Sequence, residues 1–208
     1  GAWFGALALV LSISLPETIK RSGQGHSSIN LAKISVPVIL TVAIGVSYGS
    51  VITFLPVFLA ERAIGPAGFF FSAFSLMLVP TMIFGGRLSD KLGRSKIAIP
   101  AAGLVILAMS LIPLIRTHLL LVLSALIYGL GYGTLRPTID ALIVDRVLPL
   151  ARGKALGFNY AGFDLGIGFG SLLLGLLAQG CGYSSVYPAS AIVMAAAGAI
   201  FLWEVSKC

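Results

Sequence analysis

Charge is what this sequence most lacks. Only 10% of its 208 residues are charged, 14 basic and seven acidic, against 58% apolar, and the mean hydropathy is +1.03. A soluble domain carries roughly 25% charged residues, so this composition excludes a water-facing surface. Histidine and cysteine are equally scarce, with two of each. His26 and His118 have no acidic cluster beside them in the sequence, and neither His-Glu-x-x-His nor Gly-x-Ser-x-Gly occurs. No catalytic residue, metal site or cofactor is therefore expected, and the chain does not read as an enzyme. No filter-like loop or repeated ring of charge points to a channel. Cys181 and Cys208 are separated by one apolar run, which places them on opposite membrane faces and excludes a mutual disulfide.

What is present is length without charge. Residues 34–60, 63–86, 97–115, 117–135 and 165–203 contain no Asp, Glu, Lys or Arg. A helix needs about 20 apolar residues to cross the hydrocarbon core. Six spans are predicted, near 34–60, 67–86, 97–115, 119–144, 155–178 and 185–203. They read as helices, because runs this long and uniform do not fit the alternating pattern of a membrane barrel. The fold class is all-α integral membrane, a six-helix bundle. The opening "GAWFGALALVLSISLPET" has no Met and no basic n-region, which argues against a signal peptide. Residues 1–15 are expected to be a truncated span, 16–33 a linker, 34–203 the bundle and 204–208 a tail, with an N-terminal part missing.

The net charge of +7 does not point to nucleic acid, because the basic residues sit between apolar runs and alternate in density. The linker, the segments around 87–96 and 145–154, and the tail hold 11 of the 14 basic residues; the intervening segments hold only Arg62 and Arg116. Short loops rich in Lys and Arg stay cytoplasmic, so the linker and tail are expected in the cytoplasm. One cluster exceeds what topology needs. Arg87, Asp90, Lys91, Arg94 and Lys96 fall within ten residues, and an acid such as Asp90 contributes little to orientation.

The chain also repeats itself. "GVSYGSVITFLPVFLAER" (45–62) aligns with "GLGYGTLRPTIDALIVDR" (129–146) at an offset of 84. The following spans align at an offset of 89, "GFFFSAFSL" (68–76) with "GFNYAGFDL" (157–165). Two units of three spans each must be inverted relative to one another, a recurring plan of secondary transporters. The glycine pairs Gly86/Gly175 and Gly93/Gly182 survive in both copies and are expected to share a tight turn.

"GRLSDKLGR" (86–94) resembles the loop signature of the major facilitator superfamily, G-x-L-x-D-x-x-G-R, and lies where that family places it between helices eight and nine of twelve. The likeness covers the whole chain, with residues 1–15 resembling the end of helix six and the six full spans resembling helices seven to twelve. The chain departs from the pattern at Ser95, where a second basic residue is usual; Lys96 follows one position later. The resemblance implies that Asp90 caps the helix starting near Gly153 and that Arg94 pairs with Asp145. Gly86, Arg87, Asp90, Gly93, Arg94, Asp145, Arg146 and Arg152 thereby form a candidate cytoplasmic gate. A carboxylate at a helix N-terminus gains up to ~2 kcal/mol and a charge-assisted hydrogen bond ~1.5–3 kcal/mol, so the cluster is either a latch that breaks on inward opening or a static staple.

Arg136, Asp140 and Asp164 lie inside spans, where each costs ~2.5–3.5 kcal/mol unless it faces a cavity or a partner. Tyr132, Arg136 and Asp140 share one helical stripe; Tyr160, Asp164 and Ser171 share another, opposite the small-residue ridge Gly162, Gly166, Gly170. Asp164 reads either as a proton-coupling or cation-recognising group with Arg136 as counter-ion, or as half of a structural ion pair. Asp140 is also in reach of Arg136. Pro137 and the glycines before it make this helix bendable, as a gate or as a packing adjustment. The resemblance adds Tyr48, Tyr132 and Tyr160 as cavity-lining candidates. It implies a bacterial inner-membrane transporter exporting a small molecule in exchange for protons, its partners being the bilayer, the substrate, protons and the absent N-terminal half. A facilitator that imports its substrate and a non-transporting sensor or scaffold are the alternatives.

Overall fold

The computed structural model describes residues 31–207. The expected truncated span, nearly all of the expected linker and Cys208 lie outside the described residues. Six long helices occupy the six apolar stretches: α1 Leu31–Glu61, α2 Gly68–Leu92, α3 Arg94–Leu111, α4 His118–Asp145, α5 Arg152–Cys181 and α6 Val186–Val205. Three short 3-10 turns, Ile112–Leu114, Pro149–Ala151 and Tyr183–Ser185, complete the connections, and no strand occurs among the described residues. All six helices are long and apolar enough to cross a membrane. Helices apolar all round have no water-facing stripe to present, which is the pattern of segments surrounded by protein and lipid.

The charged stretch departs from the expected loop. α2 runs through Gly86, Arg87 and Asp90 to Leu92, and α3 begins at Arg94. Gly93 alone makes the break, at φ +100°, with its N–H bonded to the Ser89 carbonyl at 3.1 Å. The expectation of a shared glycine turn holds for Gly93 and Gly182, both at positive φ. It does not hold for Gly86 and Gly175, which lie inside α2 and α5. Nothing between Gly85 and Leu92 breaks a helix except the glycines themselves, and with no residue demanding positive φ there the hydrogen-bond ladder simply continues.

Helix packing follows the repeat. α1 packs chiefly on α5, and its counterpart α4 packs on α2; α4 also packs on α3, and α1 on α6. The register of these contacts matches the two sequence offsets atom for atom. A Cβ added to Gly45 would collide with the Phe163 carbonyl oxygen, and one added to Gly129 would stand 2.7 Å from the Phe74 carbonyl oxygen. One turn on, Gly49 faces the Ile167 carbonyl oxygen at 3.2 Å and Gly133 faces that of Leu78 at 3.0 Å. Close approach of this kind needs small residues, since helix association in lipid rests on packing rather than on the hydrophobic effect. The ridge Gly162, Gly166, Gly170 lies against Val38, Val42 and Val46 of α1.

The symmetry axis is visible in the side chains. Tyr48 and Tyr132, equivalent across the repeat, stack on each other with centroids 5.1 Å apart. Each then meets an equivalent phenylalanine at 5.9 Å, Tyr48 on Phe163 and Tyr132 on Phe74. Beside them the buried Ser47 and Tyr128 hydroxyls hydrogen-bond at 3.0 Å and join α1 to α4. The two arginines that end the first helix of each unit also match. Arg62 donates to the Pro113 and Ile115 carbonyls at 2.8 and 3.3 Å; Arg146 donates to Glu204 at 2.9 Å and to the Lys33 carbonyl at 3.0 Å. Ile115 and Glu204 are themselves equivalent at the offset of 89.

Candidate functional site

Two polar constellations stand out from this apolar scaffold. The first lies where α2 and α4 end and α3 begins. Arg94, at the first position of α3, donates from Nε to Asp145 Oδ2 at 3.0 Å and from Nη1 to Ser89 Oγ at 3.1 Å and to Asp90. The Gly93 break positions this guanidinium, because it turns the chain in one residue and sets Arg94 beside the last turn of α2. The Arg94–Asp145 contact is the one implied by the resemblance. Asp90 behaves differently: its partner is Arg94, and the start of α5 is led in by the 3-10 turn Pro149–Ala151, with Ala151 offering no capping side chain.

The remaining gate candidates disperse. Arg146 clamps α6 through Glu204, as Arg62 clamps the end of α3 at the opposite end of the bundle. Arg152 is exposed in the first turn of α5, without an ion pair among the described residues. Arg87 lies with Lys91 along a groove of about 470 Å³ between α2 and α4, whose wall includes Thr81 and Thr134. Gly86 has open space beside its Cα.

The second constellation lies within the spans, between α4 and α5, which touch each other only lightly. Arg136 sits over two rings of α5, with its Cζ 4.1 Å from the Phe163 centroid and 5.1 Å from that of Tyr160. Asp140, one turn further along α4, is drawn across to α5. Asn159 Nδ2 donates to its Oδ1 at 2.7 Å and the Tyr160 hydroxyl to its Oδ2 at 3.3 Å. Arg136 Nη1 and Asn159 Oδ1 are buried and have no hydrogen-bond partner among the described residues. The stripe Tyr132, Arg136, Asp140 thus lies together as the spacing predicts, and Tyr160 joins it.

Asp164 does not. No Arg136–Asp164 ion pair forms among the described residues. Asp164 is exposed and borders a separate hollow of about 660 Å³ on α5, with Ala161, Gly168 and Phe169. Successive helix residues are about 100° apart, so turning Phe163 toward Arg136 swings Asp164 away from it.

Sequence reasoning missed Asn159, Ser89 and Tyr128. Asn159 had a legible signal, since it is a polar amide in an apolar run, and an amide buried without a partner is costly. Ser89 and Tyr128 had none, because nothing in their spacing indicates which partner lies across the helix interface.

Comparison with known proteins gives a consistent picture. A sequence model of the Major Facilitator Superfamily matches residues 4–207. An uncharacterized MFS-type transporter, YhhS of Salmonella paratyphi C, is 22% identical over 206 residues, covering 98% of this chain and 51% of the relative. The quinolone resistance protein NorA of Staphylococcus aureus is 33% identical over 135 residues, 60% of this chain and 34% of that protein. The 3-(3-hydroxy-phenyl)propionate transporter of Escherichia coli is 32% identical over 106 residues, 51% of this chain and 26% of that protein. Among solved structures, the POT family transporter PepTSo superposes with a TM-score of 0.74 at 17% identity, over 86% of this chain and 38% of that one, a likeness of fold. The chain spans about half the length of YhhS, and less of the other relatives it matches.

Proposed function

Because the chain belongs to the major facilitator superfamily, we propose that it forms half of a secondary transporter that moves a small molecule across the cell membrane by alternating access. One observation carries the reading. The bundle is symmetric in its packing, yet among the described residues the ion-paired knot of Arg94, Asp90, Ser89 and Asp145 has no ionic counterpart at the other end. The equivalent of Arg94 at the other end is Tyr183, which meets Phe54 at 6.2 Å. A scaffold with equivalent ends and an ionic knot on one of them favours one closed end, and breaking a few such contacts is enough to shift a two-state equilibrium.

The proposed cycle follows from that asymmetry. The excess of Lys and Arg supports a cytoplasmic Arg94 end, and in this reading the knot holds the cytoplasmic side shut and parts when the transporter opens inward. Asp140 and Asp164 are carboxylates within spans and the candidates for carrying protons in exchange for exported substrate. Export is the direction suited to a relative named for quinolone resistance. The other half of the cavity belongs to the N-terminal partner segment, consistent with coverage of 51% of YhhS.

The full-length protein in proteoliposomes tests this. A panel of radiolabelled solutes is offered with and without an imposed proton gradient. Gradient-driven flux of at least one solute is expected, with Asp90→Asn inserting normally but transporting poorly. Absence of flux for every solute would favour a sensor on the same fold, and unchanged flux in Asp90→Asn would end the latch.

A further inference from the structure

The Arg136 cluster carries an inference about the substrate itself, and it rests on the transport reading above. Arg136 lies nine residues, about 13 Å of helix rise, from Asp145 at the end of α4, well inside the span. Among the described residues it forms no ion pair. Asp140, one turn on, attracts it at longer range, while its carboxylate oxygens accept from Asn159 and Tyr160. Arg136 Nη1 is buried with no acceptor, while the guanidinium face rests on the Phe163 and Tyr160 rings. An unpaired cationic donor in an apolar setting is costly, and a bound acceptor removes the cost.

The surroundings define the rest of the ligand. Tyr132 is one turn before Arg136 on the same stripe and stacks on Tyr48, so half-buried ring faces continue from the guanidinium toward the symmetry axis. Tyr160 is 46% exposed, which leaves the cluster open on one side. We propose that Arg136, framed by Phe163 and Tyr160, receives the carboxylate of an aromatic organic acid, and that the transported substrate is an organic anion. A planar guanidinium matches a carboxylate in two parallel hydrogen bonds, and the tyrosines stack the ring. A cationic ligand would find no acceptor at Arg136 Nη1 and would be repelled by the guanidinium. A lipid phosphate would have to leave the membrane surface to reach this depth.

Isothermal titration of the full-length protein in detergent tests the assignment with benzoate, 3-phenylpropionate and 2-naphthoate, plus 3-phenylpropanamide and 3-phenylpropylamine as neutral and cationic counterparts of the second. The carboxylates are expected to bind about tenfold or more tightly than the amide, with the amine weakest, since a charge-assisted pair is worth roughly twice a neutral one. Arg136→Gln is expected to weaken carboxylate binding by about tenfold and leave the amide unchanged, with Arg136→Lys recovering part of the loss. Asp140→Asn is expected to tighten carboxylate binding several-fold by removing a repelling charge; a purely structural Arg136–Asp140 pair would give the opposite sign. Equal affinity for acid and amide, Arg136→Gln without effect, or no saturable binding of any carboxylate overturns the proposal. If Arg136→Gln fails to fold, the acid–amide ratio of the unaltered protein and Arg136→Lys decide it.

Solute counterflow separates the two readings. Arg136-dependent binding without flux sinks the transport reading and leaves the anion site standing. Flux of other solutes that ignores Arg136 and prefers the amine sinks the anion site alone.

Discussion

The two three-helix units share a scaffold and differ in chemistry. Gly45 and Gly129 meet equivalent carbonyls, Tyr48 and Tyr132 meet equivalent phenylalanines, and Arg62 and Arg146 tie down equivalent helix ends. Across the same alignment, however, Arg136 faces Ile52, Asp140 faces Pro56, Asp164 faces Ser75 and Arg94 faces Tyr183. What is common therefore concerns packing, and what is different is the set of charges assigned to the proposed substrate site and gate. A polar residue in a span whose repeat partner is apolar is not required by the fold.

Substitutions at paired positions separate packing from chemistry. The largest effect is expected from the shared close approaches. Gly45→Leu and Gly129→Leu each push a side chain into backbone, and overpacking of this kind costs about 1–3 kcal/mol or more. Both should lower the yield and melting temperature of folded protein, whereas Gly103→Leu, with open space beside it, should change neither. A large loss in one glycine and none in its equivalent would break the symmetry argument.

Next come the residues that are not shared. Asp90→Asn and Arg94→Ala should each reduce flux by roughly tenfold, as expected when a charge-assisted contact of ~1.5–3 kcal/mol is removed from one state of a two-state gate. Membrane insertion should hold in both and the melting temperature in Asp90→Asn, and Tyr183→Phe at the equivalent position should leave flux unchanged. Loss of stability rather than flux in Arg94→Ala would turn the knot into a staple.

Smaller and symmetric losses are expected from the arginine clamps. Arg62→Ala and Arg146→Ala each remove two hydrogen bonds at a helix end. Each should cost about 1–3 kcal/mol in thermal unfolding, by the worth of hydrogen bonds to charged groups, with the two values close. A flux defect confined to Arg146→Ala would return it to the gate. A comparable loss belongs to Gly93→Ala and Gly182→Ala, whose positive φ with extended ψ (100°/134° and 78°/162°) is close to glycine-only and costs an L-residue about 1–3 kcal/mol. Cysteines placed at the exposed positions Lys91 and Gly153 add a test of orientation, since labelling from outside intact cells would reverse the cytoplasmic assignment of the Arg94 end.

Much of this was legible without coordinates. Six spans follow from charge-free length, because the hydrocarbon core accepts little else, and the repeat follows from glycines, tyrosines and arginines recurring at two offsets. Those offsets proved to name the touching atoms, since helices that pack by close approach can do so only where small residues recur. The Arg94–Asp145 pair was available through resemblance. Partner choice was not available, because a stripe on one helix says which side chains travel together and not what they meet. Asp140 bonded to Asn159 and Tyr160, Arg136 laid on rings, Asp164 turned to another hollow, and Asp90 held by Arg94 instead of a helix start all depend on the rotation of one helix against its neighbour. That rotation is decided by the whole interface at once, and no local spacing carries it.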